Sequence, residues 1–189
     1  TLTGAGPLTP YGGPVQSFVI KSVTPSGEIE IRNTKVRLLF SKTVDLSTIT
    51  ENSIKIYPKD NPESFVAGTF SLGEWNSKKV VFEPEAICPE PNNNLKCFAA
   101  NTEYEVKIDP VLVKSKGGLK LSCDLGSLCE TSFITGSLID ITPPEVIIQN
   151  PTDKEKVSQN SLVSVDIHAV DDAGIGGLAL FVDGQHFDE

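Results

Sequence analysis

The sequence predicts an all-β protein: an antiparallel Greek-key β-sandwich followed by part of a second β unit. Apolar and polar residues alternate with a period of two in short segments, whereas the 3.6-residue period of amphipathic helices is almost missing. Turn residues separate these segments, and the chain holds 15 Gly and 13 Pro among its 189 residues. A chain of this length can bury a hydrophobic core without help from metals.

Seven segments before residue 137 carry the strand pattern. In the second of them, Val36, Leu38 and Phe40 share one face, while Lys35 and Arg37 share the other. Seven short strands separated by turns are typical of a sandwich of two antiparallel sheets. The segments are SFVIKSV from residue 17, TKVRLLF from 34, SIKIY from 53, SFVAGTFSL from 64, KKVVFEP from 78, TEYEVKID from 102 and ETSFITG from 130.

One connection between these strands is helical. In SKTVDLSTITENS, from residue 41, Asp45 or Ser47 can accept a hydrogen bond from the backbone at the start of a helical turn. The sequence predicts a single-turn crossover here, which is too short for a recognition helix.

The composition changes at GSLIDITPPEVIIQNP, where Pro143 and Pro144 prevent regular strand pairing and stiffen the chain. We expect four segments: an N-terminal linker (1–16), a sandwich domain (17–137), a Pro-containing linker (138–144) and a partial second domain (145–189).

The second domain begins a new set of strands, EVIIQ, LVSVDIHAV and LALFVDG. About 50 residues remain after the linker, whereas a complete sandwich of this type takes about 100. The unit is expected to leave sheet edges unpaired, and these edges can pair with a second copy of the chain to give a strand-paired dimer.

The chain carries 16 basic and 25 acidic residues, a net charge of -9, and its longest basic cluster is the Lys78–Lys79 pair. This balance argues against nucleic acid and against an anionic membrane surface as partners. No apolar run approaches the roughly 20 residues of a membrane helix, so direct membrane insertion is not expected. The absence of Met indicates a mature or excised piece of a longer protein.

The four cysteines form two pairs, Cys88 with Cys97 in CPEPNNNLKC and Cys123 with Cys129 in CDLGSLC. Zinc sites use shorter spacings of about two to four intervening residues, usually with His nearby, and thioredoxin-like sites need C-x-x-C. The favoured interpretation is a disulfide framework formed in an oxidising compartment. Free thiols and metal ligands are the alternatives.

Four cysteines can be paired in more than one way, and the sandwich topology selects one pairing. The strand from Thr102 to Asp109 separates the two cysteine-bearing loops and spans about 25 Å at about 3.3 Å per residue, so the loops fall at opposite poles. Disulfide partners need Cα atoms within about 7 Å. The prediction is therefore Cys88–Cys97, at the pole from which the last strand leaves for Asp140, and Cys123–Cys129 at the other.

Residues 34–57, TKVRLLFSKTVDLSTITENSIKIY, resemble the core signature of the bacterial Ig-like domains of S-layer proteins and other large surface proteins. GTFSLGEWNSKKVVFEPEA and NTEYEVKIDPVLVKSKGGLKL resemble later segments of that family, so the resemblance covers roughly residues 17–137. From residue 140, DITPPEVII and DDAGIGGLALFVDG are similar to the opening half of another bacterial Ig-like repeat.

The resemblance implies an extracytoplasmic Ig-like sandwich, followed by a partial Ig-like unit, that serves as a non-catalytic spacer, stalk or adhesion module of a larger bacterial cell-surface or secreted protein. Its partners would be other domains of the same polypeptide. Two alternatives stay open: a module that binds a surface glycan or a protein, and an accessory domain of a secreted polysaccharide-degrading enzyme.

No catalytic residues are expected, because His168 and His186 are the only histidines that a hydrolytic site can use. His168 shares the outer face of its strand with Ser164 and Asp166, a position without a pocket or oxyanion donors. His186 follows an Asp-Gly turn and is expected in a loop.

Acidic residues suggest one metal site, and no cofactor other than Ca²⁺ is considered. Asp140 lies in the linker, and Asp171 with Asp172 lies in a turn that the sandwich topology directs toward the linker. Ca²⁺ prefers carboxylate and carbonyl oxygens gathered in this way. The alternative is that these residues only stabilise turns, as Asp commonly does before Gly.

Trp75, in SLGEWNSKK, is a candidate ligand-binding residue because an exposed Trp can stack on a sugar ring. Sugar sites normally have more than one aromatic platform, and Tyr11 and Tyr57 are not obvious companions. The alternative is that Trp75 packs within its turn, since Trp is largely buried on average.

Overall fold

The computed structural model describes residues 17–123, 128–171, 173–175 and 177–187, so the linker expected at residues 1–16 lies outside the described part. The all-β prediction is confirmed, since strands and a single 3-10 turn are the only regular elements in these ranges. The strands of the first unit are β1 (Ile20–Thr24), β2 (Gly27–Glu28), β3 (Val36–Phe40), β4 (Ile54–Pro58), β5 (Gly68–Gly73), β6 (Asn76–Pro84), β7 (Glu103–Ile108) and β8 (Glu130–Ile134).

These strands form two four-stranded sheets, with the orders β1-β3-β6-β5 and β2-β8-β7-β4. Apart from the short β2, the orders match those of immunoglobulin-type sandwiches, in which the first, second, fifth and fourth strands form one sheet and the third, sixth and seventh form the other. The chain crosses between the two sheets several times, while β5–β6 and β7–β8 are consecutive pairs within one sheet, and the sheets pack face to face around one core.

The core follows the alternation of the strands. Val36, Leu38 and Phe40 of β3 are buried, while Arg37 and Leu39 lie on the outer face of the same sheet. An aromatic cluster fills the end of the core near the linker, where Phe98 contacts Tyr104 (ring centroids 4.9 Å apart), Phe133 (5.4 Å) and Phe82 (6.4 Å). At the other end, the rings of Phe18 and Phe40 stack with centroids 5.3 Å apart.

Tyr104 links this core to the chain before β7. Its side chain is 3% exposed, and its hydroxyl accepts a 2.9 Å hydrogen bond from the backbone N–H of Ala99. A Tyr near the start of the sixth sandwich strand, bonded to backbone a few residues upstream, is the tyrosine corner of immunoglobulin-type sandwiches. Burial raises the pKa of the Tyr104 hydroxyl, so its neutral form is favoured.

Two elements differ from the expected pattern or refine it. β2 was not predicted from the sequence, because two residues are too few to show a period, and it pairs with β8 in parallel rather than antiparallel. Gly27 allows the chain to turn into β2, because its φ of 68° is one that residues with a side chain rarely adopt. The crossover is the 3-10 turn Leu46–Thr48, where Asp45 Oδ1 accepts from Ser47 N as the N-cap.

The second unit consists of two hairpins, β9 (Glu145–Asn150) with β10 (Asp166–Val170), and β11 (Leu180–Val182) with β12 (Gln185–Phe187). The strand expected from LVSVDIHAV begins only at Asp166. All residues of the buried hydrophobic cluster belong to the first unit. Apolar side chains of the second unit, including Val146, Ile147 and Ile148 of β9, are exposed.

Candidate functional site at the junction of the two units

The linker after β8 is held against the segment between β2 and β3. The side-chain amide of Asn33 makes two hydrogen bonds with the backbone of Asp140: Nδ2 donates to the carbonyl oxygen (2.6 Å), and Oδ1 accepts from N–H (2.9 Å). Arg32 N–H donates to Leu138 O (2.9 Å), and Leu138 N–H donates to Glu30 O (3.1 Å). The linker is therefore fixed by an amide bridge and by main-chain pairing.

Two disulfides are present, Cys88–Cys97 and Cys123–Cys129, with Cα separations of 4.9 Å and 5.9 Å. This is the pairing that the loop positions predict. The two bridges lie at opposite ends of β7, because Ile108 N–H donates to Cys129 O (2.8 Å) at its end, whereas the chain beyond Cys97 approaches its start.

The loop closed by Cys88–Cys97 is connected to the segment that holds the linker. Arg32 Nε donates to Phe98 O (3.0 Å), directly after Cys97, and Phe98 N–H donates to Arg32 O (2.9 Å). Arg32, whose backbone pairs with the linker, therefore also connects the disulfide loop to the linker. Cys88–Cys97 therefore lies at the end of the sandwich from which the chain leaves for Asp140.

Trp75 lies between β5 and β6 and is 50% exposed. Its ring meets Phe181 of β11 edge-on, with centroids 4.8 Å apart, and stacks on His186 of β12 with centroids 5.9 Å apart. The sequence suggested turn packing or a sugar platform for Trp75. The structure places Trp75 in an aromatic cluster between the two units, a long-range contact that no local pattern indicates.

The expectation of a loop position for His186 is wrong, because His186 belongs to β12. Asp183 and Gly184 both have positive φ, 51° and 78°, which is the geometry of a two-residue hairpin turn. The Asp-Gly signal therefore closes a hairpin. His168 and Asp166 are exposed on β10, as the alternation predicts.

The calcium hypothesis concerns Asp140, Asp171 and Asp172, of which Asp172 lies outside the described residues. Asp140 Oδ1 accepts from Thr142 N–H (2.9 Å), and Asp171 Oδ1 accepts from Ala173 N–H (2.9 Å). Both are hydrogen bonds to the residue two positions ahead, as in Asx turns. Within the described ranges, no three acidic, His or Cys side chains gather as a metal site. The two carboxylates thus fit turn chemistry.

No protein-family model matches the chain, and neither does any curated protein. Solved structures that are similar to it include the S-layer protein SbsC, at 14% identity over 92% of this chain and 22% of that one, with a TM-score of 0.45. CopC from Methylosinus trichosporium is 15% identical over 63% of this chain and 93% of that one, with a TM-score of 0.44.

L,D-transpeptidase 1 from Mycobacterium tuberculosis is 18% identical over 62% of this chain and 38% of that one, with a TM-score of 0.35. The chain thus spans a small part of the S-layer protein, a minority of the transpeptidase and most of CopC. Among the described residues, no helix is long and apolar enough to cross a membrane.

Proposed function

We propose that this chain is a non-catalytic, Ig-like spacer or adhesion module of a larger extracytoplasmic protein. The observation that carries the proposal is the double hydrogen bond between Asn33 and Asp140. A linker free to rotate needs no such bridge, whereas a module that orients its neighbour requires the exit of its last strand to be fixed. The contacts of Arg32 and Leu138 extend the same restraint.

The disulfides support an extracytoplasmic location. All four cysteines are paired in disulfides, which form and persist in oxidising compartments. A sandwich of this size has a core large enough to fold without them, so the bridges act mainly on individual loops.

The structure offers a matched test of the spacer function. Asn33→Ala removes both hydrogen bonds to Asp140, while Asn94→Ala removes an exposed amide in the disulfide loop and serves as the control. Small-angle X-ray scattering should give a larger and broader distribution of interatomic distances for Asn33→Ala than for the wild type. Acrylamide should also quench Trp75 more strongly in this variant, since Trp75 is the single Trp and lies between the units.

In both measurements, Asn94→Ala should give the same result as the wild type. A wild-type chain whose scattering already requires a broad ensemble, and which Asn33→Ala does not alter, would contradict the proposed spacer function.

A further inference from the structure

A cleft lies on the outer face of the sheet formed by β1, β3, β6 and β5. The strand register brings its floor together, since Thr24 is opposite Arg37, Ser22 is opposite Leu39, and Leu39 is opposite Lys79. All five side chains face away from the core, because the alternate residues of these strands are buried. The second unit covers this floor with Ala173, Gly174 and Ile175.

The cleft has a volume of about 370 Å³, which is within the usual range for small-molecule sites. One side is apolar and includes Pro25, Ile29 and Ile31, while Ser22, Thr24 and Thr34 supply hydroxyl groups. Apolar walls with a few convergent polar groups are typical of ligand pockets. The cleft therefore has both the size and the lining of a site for a small polar ligand.

Arg37 is the distinctive group of this lining. Its guanidinium is half-buried and donates from Nη1 to Lys35 O (3.2 Å). Among the salt bridges of the described residues, none includes Arg37, although the chain is acidic with a net charge of -9. Burial lowers the pKa of Arg37, which reflects the cost of holding a partly desolvated charge.

Desolvation of a charge is costly without an opposing charge, so a half-buried guanidinium favours an anionic partner. A guanidinium also has five N–H donors in a fork that matches a carboxylate. The guanidinium of Arg37 and the neighbouring hydroxyls favour an anionic, hydroxylated ligand.

We propose that this cleft binds an acidic sugar, with the carboxylate of a uronic acid held by Arg37 and its hydroxyl groups held by Ser22, Thr24 and Thr34. A ligand in this position touches both units, so it would bind the sandwich and its neighbour together. This function goes beyond that of a spacer and does not depend on it.

The test is an NMR titration of the ¹⁵N-labelled chain with sodium D-glucuronate, using D-glucose as the neutral control. Saturable shifts of the amide signals of Thr24, Arg37 and Ile175 are expected with glucuronate and not with glucose. Arg37→Gln should weaken binding by roughly 10- to 100-fold, the loss expected for hydrogen bonds to a charged group. Arg37→Lys keeps the positive charge but loses the forked arrangement of N–H donors. Its affinity for glucuronate should therefore lie between those of the wild type and Arg37→Gln.

Lys21→Gln is the matched control, because Lys21 is an exposed cation on β1. This variant should bind glucuronate like the wild type. The core amide signals of each variant report that it is folded. Equal binding of glucose, unchanged binding by Arg37→Gln, or no saturable shift up to about 20 mM glucuronate overturns the site. Tighter binding of N-acetylglycine than of glucuronate overturns the sugar assignment in favour of a peptide carboxylate. None of these outcomes bears on the Asn33→Ala measurements, so the two proposals fail separately.

Discussion

The ring of Trp75 meets the ring of Phe181 edge-on, with centroids 4.8 Å apart, and so joins the β5–β6 turn of the sandwich to the β11–β12 hairpin of the second unit. Edge-to-face contacts of this kind are favourable for aromatic pairs. Because the chain contains one Trp, its fluorescence reports directly on the junction between the two units.

Phe181→Ala should release Trp75 into solvent. We expect its emission to move to longer wavelength and its quenching by acrylamide to increase, because the edge of the indole loses its apolar neighbour. Phe187→Ala is the matched control, since Phe187 lies in the same hairpin and is 64% exposed. Identical spectra for Phe181→Ala and the wild type would show that the contact is not maintained in solution.

Tyr104→Phe should lower the free energy of unfolding by about 1 kcal/mol, the typical contribution of one hydrogen bond. The substitution removes the bond from Ala99 N–H but keeps the ring that packs against Phe98 and Phe133. Tyr57→Phe is the control, because the Tyr57 hydroxyl bonds Glu105 near the surface and its loss should change stability by less than about 0.5 kcal/mol. Urea titrations of both variants measure the difference, and equal losses would rule out a special role for the corner.

Alkaline pH gives a second readout for Tyr104. Burial raises its pKa in the folded state, so its contribution to stability is complete below the unfolded pKa of about 10 and is lost as the pH rises through the folded value. Phe at this position does not titrate. The stability difference between the wild type and Tyr104→Phe should therefore shrink above about pH 10.

The two disulfides should differ in their contributions to stability. Loop closure alone predicts a loss of about 2–3 kcal/mol when either bridge is removed. Cys88 and Cys97 are 1% and 2% exposed, so serines there bury two hydroxyl groups, whereas in the second bridge Cys129 is buried and Cys123 is only half-buried. We expect the Cys88→Ser, Cys97→Ser double variant to melt at a lower temperature than the Cys123→Ser, Cys129→Ser one. Peptide mapping that found a Cys88–Cys123 link would refute the pairing itself.

Melting with excess chelator and with excess CaCl₂ tests the calcium hypothesis for Asp140, Asp171 and Asp172. A ligand that binds only the folded state raises Tm. Because Asp140 and Asp171 already accept backbone hydrogen bonds in turns, we expect the same Tm in both conditions. A higher Tm with Ca²⁺ that Asp140→Asn abolishes would establish a calcium site.

The exposed strands of the second unit predict a strand-paired dimer. Ile147 and Ile148 are 47% and 54% exposed, and β9 and β10 pair only with each other among the described strands. Such edges can add strands from another chain. Light scattering at increasing concentration should show a dimer that Ile147→Lys weakens. A monomer at the highest concentration would exclude this association.

The sandwich was predictable because its strands carry a local signal. Val36, Leu38 and Phe40 alternate with polar residues, and this alternation assigns both the strand and its buried face. β2 escaped prediction because its pairing with β8 depends on contacts distant in the sequence. The second unit shows the converse: LVSVDIHAV carries the period of a strand, but its first residues have no partner strand among the described residues.

The candidate sites divide in the same way. Cysteine spacing and strand length were enough to predict both disulfides. The two loops lie at opposite poles, too far apart for a cysteine of one loop to reach a cysteine of the other. The partners of Trp75 and the environment of Arg37 were not predictable, since Phe181 and Ile175 reach them from another unit. The side chain of Asn33 gave no signal at all, because Asn in a turn region is common.

The parallel pairing of β2 with β8 has a mechanical consequence. Gly27 is opposite Phe133, and the parallel contact continues to Ile31 and Leu138. A tensile force applied to the chain before β2 and the chain after β8 therefore pulls the two strands in opposite directions along their common axis. Their hydrogen bonds are then loaded together in shear, rather than being opened one after another as in a hairpin that is peeled apart. A sandwich with this connection resists extension between the start of β2 and the end of β8.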